Sequence, residues 1–235
     1  MKIFYDVDTQ HDFMDRKGAL YVPGAEDIKP NLKKLTDYAD QNLIPIFGSV
    51  DKHFGTEEYK HREGELSRWG GPFPDHCMAD SLRQKKIGPT RRSDFIREDE
   101  LPAEEFIPHT LDDKVDDGKI NTIKRKAETI KEFYASRWYG TFFEKQSYDV
   151  FTNPNFEAFL KAANVKEAIV YGVATDYCVK AAVLGMQKRG VQCYVVEDAI
   201  AAVNYDTGRS ELEEMVKLGA KLIKTKEVLE NKMEW

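Results

Sequence analysis

Three groups of residues in this 235-residue chain could do chemistry. The first is Cys178, inside EAIVYGVATDYCVKAAVLGMQKRG at 167–190. Ala168–Tyr171 is apolar enough for a strand covered on both faces, and Val179, Ala182, Val183 and Met186 then recur at helical spacing. Gly172 marks the turn between them. Thr175 or Asp176 is a suitable cap, which places Cys178 in the first turn of the helix. Unpaired backbone N–H groups and the positive helix end favour the thiolate there, and the thiolate is the nucleophilic form of cysteine. A small packing cysteine fits the same stretch, so both roles stay open on these residues alone.

The second group is Asp51, His53, His61 and His76. Asp51-x-His53 sets a carboxylate and an imidazole two residues apart at the end of an apolar run, pointing the same way if the chain is extended. Such donors together suit Zn²⁺, and also Mn²⁺ or Fe²⁺; surface histidines would give the same short pattern. Cys77 beside His76 is a further donor type, although neighbouring side chains diverge unless the turn is special. The third group is Asp8 and Lys145, a carboxylate and a cation that each follow an expected strand. A cysteine nucleophile needs a proton acceptor and gains from a nearby cation. Gln10 and Asp12 read as hydrogen-bonding posts of the Asp8 loop, and Cys193, within a strand, reads as core.

These residues need elements to hold them. Residues 2–7 read as a first strand, apolar except for Asp6. Ile28, Leu32, Leu35, Tyr38 and Ala39 mark a helix that ends at Asn42, and Leu43–Val50 follows as a strand with Pro45 an awkward member. Residues 51–119 are rich in charge, Gly, Pro and His, which suits loops around a site. Helical order returns at 120–134, Thr141–Lys145 reads as a short strand, and Phe156, Phe159, Leu160 and Ala163 mark another helix. Beyond the Cys178 unit come a strand at Val191–Val196, a helix opened by the capping-box pattern Ser210…Glu213, and a short strand at Lys221–Ile223. This alternation predicts an α/β protein, with a three-layer α/β/α arrangement and a mostly parallel, Rossmann-like sheet. Ligands of such sheets sit beyond the carboxyl ends of the strands, where Asp8, Asp51, His53, Lys145 and Cys178 all fall.

Composition narrows the function classes. A net charge of −6 argues against a nucleic-acid surface, with Arg91 and Arg92 only a local basic spot. No apolar run is long enough to cross a bilayer, and MKIFYDVD reads as a strand rather than a leader. Three cysteines do not make a disulfide framework, so a reducing, cytoplasmic setting is expected. The length suits one domain over 1–235.

DVDTQHDFM at 6–14, GALYVPGA at 18–25 and GVATDYCVKAAVLG at 172–185 resemble the signatures of the isochorismatase-like cysteine hydrolases. SVDKHFG at 49–55 and FPDHC at 73–77 are similar to the metal-binding segments of their nicotinamidase/pyrazinamidase branch. Residues 79–141 carry no strong match. The resemblance implies a triad of Asp8, Lys145 and Cys178, with Lys131 a rival to Lys145. It implies a divalent metal, foremost Zn²⁺, on Asp51, His53 and His76, with His61 as the fourth ligand and Glu63 or Glu65 as rivals. It also implies an oxyanion hole at the N–H groups of Ala174 and Cys178, with a cis peptide at Val173–Ala174. Phe13 is expected against the substrate ring. Phe73 stands where nicotinamidases usually have Trp, and Trp69 is a candidate for the missing ring. The implied reaction is hydrolysis of nicotinamide to nicotinate and ammonia through a thioester; the alternative is a ureido, carbamoyl or other aromatic amide. A metal-bearing binding protein and a vinyl-ether hydrolase are the remaining readings, the latter having no need of a nucleophilic cysteine. The partner is thus a small-molecule amide, with homo-oligomers common in the family.

Overall fold

The computed structural model describes residues 1–90, 109–111 and 141–230. Among these described residues, seven parallel strands form one sheet: β1 (Lys2–Val7), β2 (Ile46–Asp51), β3 (His109–Leu111), β4 (Thr141–Lys145), β5 (Glu167–Val173), β6 (Gln192–Ala201) and β7 (Lys221–Ile223). Their order is β3-β4-β2-β1-β5-β6-β7. The chain leaves β1 toward β2 and later returns to β1's other side as β5, so strand order reverses between β1 and β5. That is where an open α/β sheet presents a ligand crevice.

Alternation along β1 explains the layers. Ile3, Tyr5 and Val7 face one core, with Phe156 and Phe159 of α3 (Pro154–Ala162), Val183 of α4 (Lys180–Gln187) and Met215 of α5 (Tyr205–Lys217). Phe4 faces the other, with Leu32 and Leu35 of α2 (Ala25–Gln41) and Val228 of α6 (Thr225–Leu229). A four-residue α1 (His11–Met14) sits in the loop after β1. This is the three-layer arrangement expected from the pattern. Among the described residues no helix is long and apolar enough to cross a membrane.

Several boundaries differ from the sequence expectation. β2 begins at Ile46 rather than Leu43. Leu43 has a left-handed φ of 56° and Pro45 offers only its carbonyl, which accepts from Phe4 N at 2.9 Å. β6 runs on to Ala201, past a register shift between Val170 and Gly172 of β5. Helix α5 starts five residues before Ser210, because Asn204 caps it by accepting from Asp206 N and Thr207 N. Ser210 then lies inside the helix and donates to Thr207 O at 2.9 Å. The helix expected at 120–134, and Lys131 with it, lies outside the described residues. The short elements α1, β3 and α6 carry too little periodicity to be legible.

Candidate active site

The ends of four adjacent strands carry the site. Asp51 and Lys145 are directly paired across β2 and β4, and Val7 is paired with both Ser49 and Gly172. Asp8, one residue beyond β1, turns back with a left-handed φ of 47°. Lys145 Nζ lies 2.9 Å from Asp8 Oδ2 and 3.5 Å from Cys178 Sγ. It also donates to Asp51 Oδ1. The ammonium is therefore shared by two carboxylates and the thiol, with Lys145 1% exposed and Cys178 8%.

Burial and the charges within the cluster compete over its protonation. Burial pushes the Cys178 thiol well above its ordinary value, Lys145 pulling the other way and the Asp8 and Asp51 charges adding to the push. The thiol thus keeps its proton here, where the sequence led us to expect thiolate. Burial also raises Asp8 against the pull of Lys145, which makes that carboxylate a better proton acceptor. Burial acts the same way on Asp51, but Lys145 above all, then His76, overturns it and holds Asp51 low. Burial disfavours the Lys145 ammonium, yet Asp51 and Asp8 hold its value well above the ordinary one. One carboxylate of the pair is driven up and the other down, so the two have separate tasks.

Cys178 is not on the first turn of an ordinary α-helix. Residues Thr175–Val179 form a π-turn, with Val179 N donating to Ala174 O at 3.0 Å, ahead of α4. Neither Thr175 nor Asp176 caps it. Asp176 instead accepts from Val203 N and Asn204 N at 2.9 Å each, tying the nucleophile turn to the start of α5. The peptide before Ala174 is cis, as the resemblance implies. Gly172 has φ +116°, and a Cβ there would lie 2.1 Å from Val7 O. Only glycine allows β5 to pass that close to β1 below the turn.

Asp51, His53, Glu65 and His76 each offer a donor atom within 4.8 Å of the others. His53 Nε2 is 3.4 Å, and His76 Nε2 3.7 Å, from Glu65 Oε1. His76 Nε2 is 3.6 Å from Asp51 Oδ2, while its Nδ1 pairs with Pro74 O at 2.7 Å, which turns the other nitrogen inward. Both ring nitrogens of His53 are buried with no hydrogen-bond partner. Two imidazoles and two carboxylates that converge, one imidazole with both buried nitrogens orphaned, fit a divalent cation. Burial disfavours the His76 imidazolium, but Asp51 beside it outweighs that and raises its value; a cation at this position would take the place of that proton.

His61 is corrected: it is exposed and outside this cluster. It lies in the turn after Tyr59, whose carbonyl accepts from Arg62 N and Glu63 N, and Glu65 comes round to the fourth place. Glu63 is buried but spent on the loop, accepting from Phe54 N and Gly55 N. Trp69 is corrected too: its ring lies under Lys60 Nζ at 5.0 Å and is not among the residues lining the pocket. The pocket above Cys178 is walled by Phe13, Val22, Phe73, Tyr148, Tyr177 and Val203, with Asp51, Glu65 and His76 at the side of the four-donor cluster. Tyr177 meets Phe73 edge-on at 5.2 Å between ring centroids, and Phe13 lies 5.3 Å from the His76 ring. Tyr177 and Tyr148 were missed. Tyr177 adjoins Cys178, and on a regular helix neighbours diverge; the π-turn has no sequence signal.

The posts hold the strand ends together. Gln10 pairs with the Asp51 backbone like a strand residue, its Oε1 accepting from Asp51 N at 2.7 Å and its Nε2 donating to Asp51 O at 2.8 Å. Asp12 accepts from Cys77 N at 2.7 Å, fixing Cys77, with its left-handed φ of 45°, beside His76. Cys77 is buried behind that turn and is no member of the donor cluster. Cys193 packs in the core.

The isochorismatase domain matches residues 6–227. This chain belongs to the isochorismatase family. The family hydrolase is 23% identical over 223 residues to the nicotinamidase/pyrazinamidase of Mycobacterium tuberculosis, covering 95% of this chain and 98% of that one. It is 21% identical over 216 residues to a probable inactive nicotinamidase of Arabidopsis thaliana, covering 92% and 88%. Its fold is that of the pyrazinamidase of Pyrococcus horikoshii in complex with zinc, with a TM-score of 0.67 at 22% identity over 95% and 98% of the two chains. A relative named for activity and one named for its loss are about equally similar to this chain, so the side chains of the site must carry the functional argument.

Proposed function

We propose that this isochorismatase-family hydrolase is a metal-dependent amidase that converts nicotinamide to nicotinate and ammonia, with Cys178 as nucleophile. The observation that carries this reading is one shared carboxylate. Asp51 joins the Lys145–Asp8–Cys178 cluster on one side and the His53–Glu65–His76 donors on the other, across a small aromatic pocket. A flat ring with a polar atom toward the donors and a carboxamide toward the thiol fits that layout.

Asp8 takes the Cys178 proton as sulfur attacks the amide carbon, and Lys145 stabilises the charge that remains. The N–H groups of Ala174 and Cys178 receive the developing oxyanion, a contribution of about 3–4 kcal/mol per donor where such donors have been removed. Asp8 returns its proton to the departing nitrogen, the C–N bond breaks and ammonia leaves. Water then adds to the thioester with Asp8 again as base, releasing nicotinate and the thiol. Asp51, His53, Glu65 and His76 would hold the divalent metal, Zn²⁺ first and Mn²⁺ or Fe²⁺ as alternatives, and it would supply Lewis acidity at that side of the pocket. Three buried free thiols suit a reducing, cytoplasmic setting.

The test is ammonia release from nicotinamide, pyrazinamide, benzamide and a ureido acid, with and without a chelator. Nicotinamide and pyrazinamide should lead, and chelation should abolish their turnover. Preference for the ureido acid, or none for rings bearing nitrogen, would defeat the nicotinamide assignment.

A further inference from the structure

Beneath the Asp8 loop, on the sheet face toward α2, lies a second buried charge cluster that the mechanism does not use. Asp6 is 1% exposed and Lys86 6%. Lys86 Nζ is 2.8 Å from Asp6 Oδ2 and 4.3 Å from the centre of the Phe142 ring. Asp6, Gly48 and Phe142 are in register across β1, β2 and β4. The Lys86 ammonium thus bridges two strands across Gly48, where a Cβ would come within 2.8 Å of the Phe142 ring.

The cluster is wired to the catalytic turn. Thr9 Oγ1 lies 2.9 and 3.1 Å from the two Asp6 oxygens, and 2.7 Å from Thr90 Oγ1. Ile87 N donates to Thr9 O at 2.9 Å, and His11 N to Lys85 O at 3.0 Å, so residues 85–87 clamp the loop from outside. Thr9 directly follows Asp8, whose φ of 47° is one that non-glycine residues seldom adopt. Burial raises the Asp6 carboxyl and lowers the Lys86 ammonium, each against its partner. Apolar residues of similar volume often hold a core as well as a buried ion pair, so stability alone is a weak account of this one.

We propose that the Asp6–Lys86 pair, acting through the Thr9 hydroxyl, is a positioning device that holds Asp8 in its left-handed turn beside Cys178. Its effect on turnover rests on the amidase reading; its effect on thiol reactivity does not. Thr9→Val deletes the hydroxyl while keeping shape and ion pair. The double variant Asp6→Leu/Lys86→Met removes both charges together and leaves neither buried alone.

The experiment compares metal-loaded parent, both variants and Thr9→Ser, reading iodoacetamide labelling of Cys178 by peptide mass alongside kcat and KM for nicotinamide. Misplacing a catalytic base by a fraction of an ångström should slow Cys178 labelling by about threefold or more and lower kcat about tenfold, with KM little changed. Thr9→Ser should behave as the parent. Parental labelling and kcat in either variant, with cooperative melting and metal content intact, would overturn the proposal. If the parent itself turns over no nicotinamide, the amidase reading fails and the labelling rates alone decide this one.

Discussion

Lys145 makes the site a single electrostatic unit, since its ammonium touches both Asp8 and Asp51 and approaches Cys178. The two carboxylates respond in opposite directions, and the sign of each pH effect follows. Asp51 is held below its ordinary value, so its contribution to stability is full above about pH 4 and is lost as pH falls through the folded value. Asp8 is raised, so its contribution is present below the ordinary value and lost as pH rises through the folded one. In metal-stripped protein, Asp51→Asn should therefore flatten the acid limb, with the urea midpoint falling less between about pH 4 and pH 2 than in the parent. Equal slopes would rule out that assignment. The fourth donor of the proposed metal site is also decided by single residues. Glu65→Gln should weaken metal binding about tenfold or more by competitive chelation, whereas His61→Ala, at an exposed position outside the cluster, should leave it unchanged. The reverse ranking would restore His61.

Elements bring those residues together, and they were legible in unequal measure. β1, β5 and α2 announce themselves through continuous apolar runs and a clean helical stripe. Thr141–Lys145 was placed to the residue, although its Phe142-Phe143 pair marks no clear face. The choice of Glu65 over His61 was not legible, because it depends on how an irregular loop between Phe54 and Phe73 winds, and such loops carry no periodic signal. The π-turn at Thr175–Val179 escaped for the same reason: its residues would serve equally well in an α-helix. At this scale Gly172 is the most exacting position. Gly172→Ala would combine an unfavourable φ with a contact to Val7 O, so a loss of about 1–3 kcal/mol or more is expected in urea unfolding. A loss within experimental error would show that β5 can move away from β1 without consequence.

For the whole molecule, the alternating pattern sufficed for the α/β/α layers and the parallel sheet, because buried parallel strands and amphipathic helices write their packing directly into sequence. What the pattern lacked was the reversal of strand order between β1 and β5, a long-range property that places Asp8 and Cys178 beside each other. The motif blocks supplied that proximity only through likeness to a family. Metal should stabilise the entire fold, since its donors come from β2 and the two loops beyond it. At a hundredfold excess over its dissociation constant a ligand adds about 2.7 kcal/mol, or roughly 5–10 °C in melting temperature for a chain of this size. Scanning calorimetry before and after chelation measures this, and an unchanged midpoint would mean that no cation is bound there.

The claim on which all of this turns is that Cys178 carries the acyl group. Acid-quenching the metal-loaded enzyme during nicotinamide turnover, followed by intact and peptide mass analysis, reads it directly. A nicotinoyl adduct should appear on the Cys178 peptide of the parent, and Cys178→Ala should show neither adduct nor ammonia release while keeping its metal and its fold. Ammonia release by Cys178→Ala at anything near the parental rate would contradict the account.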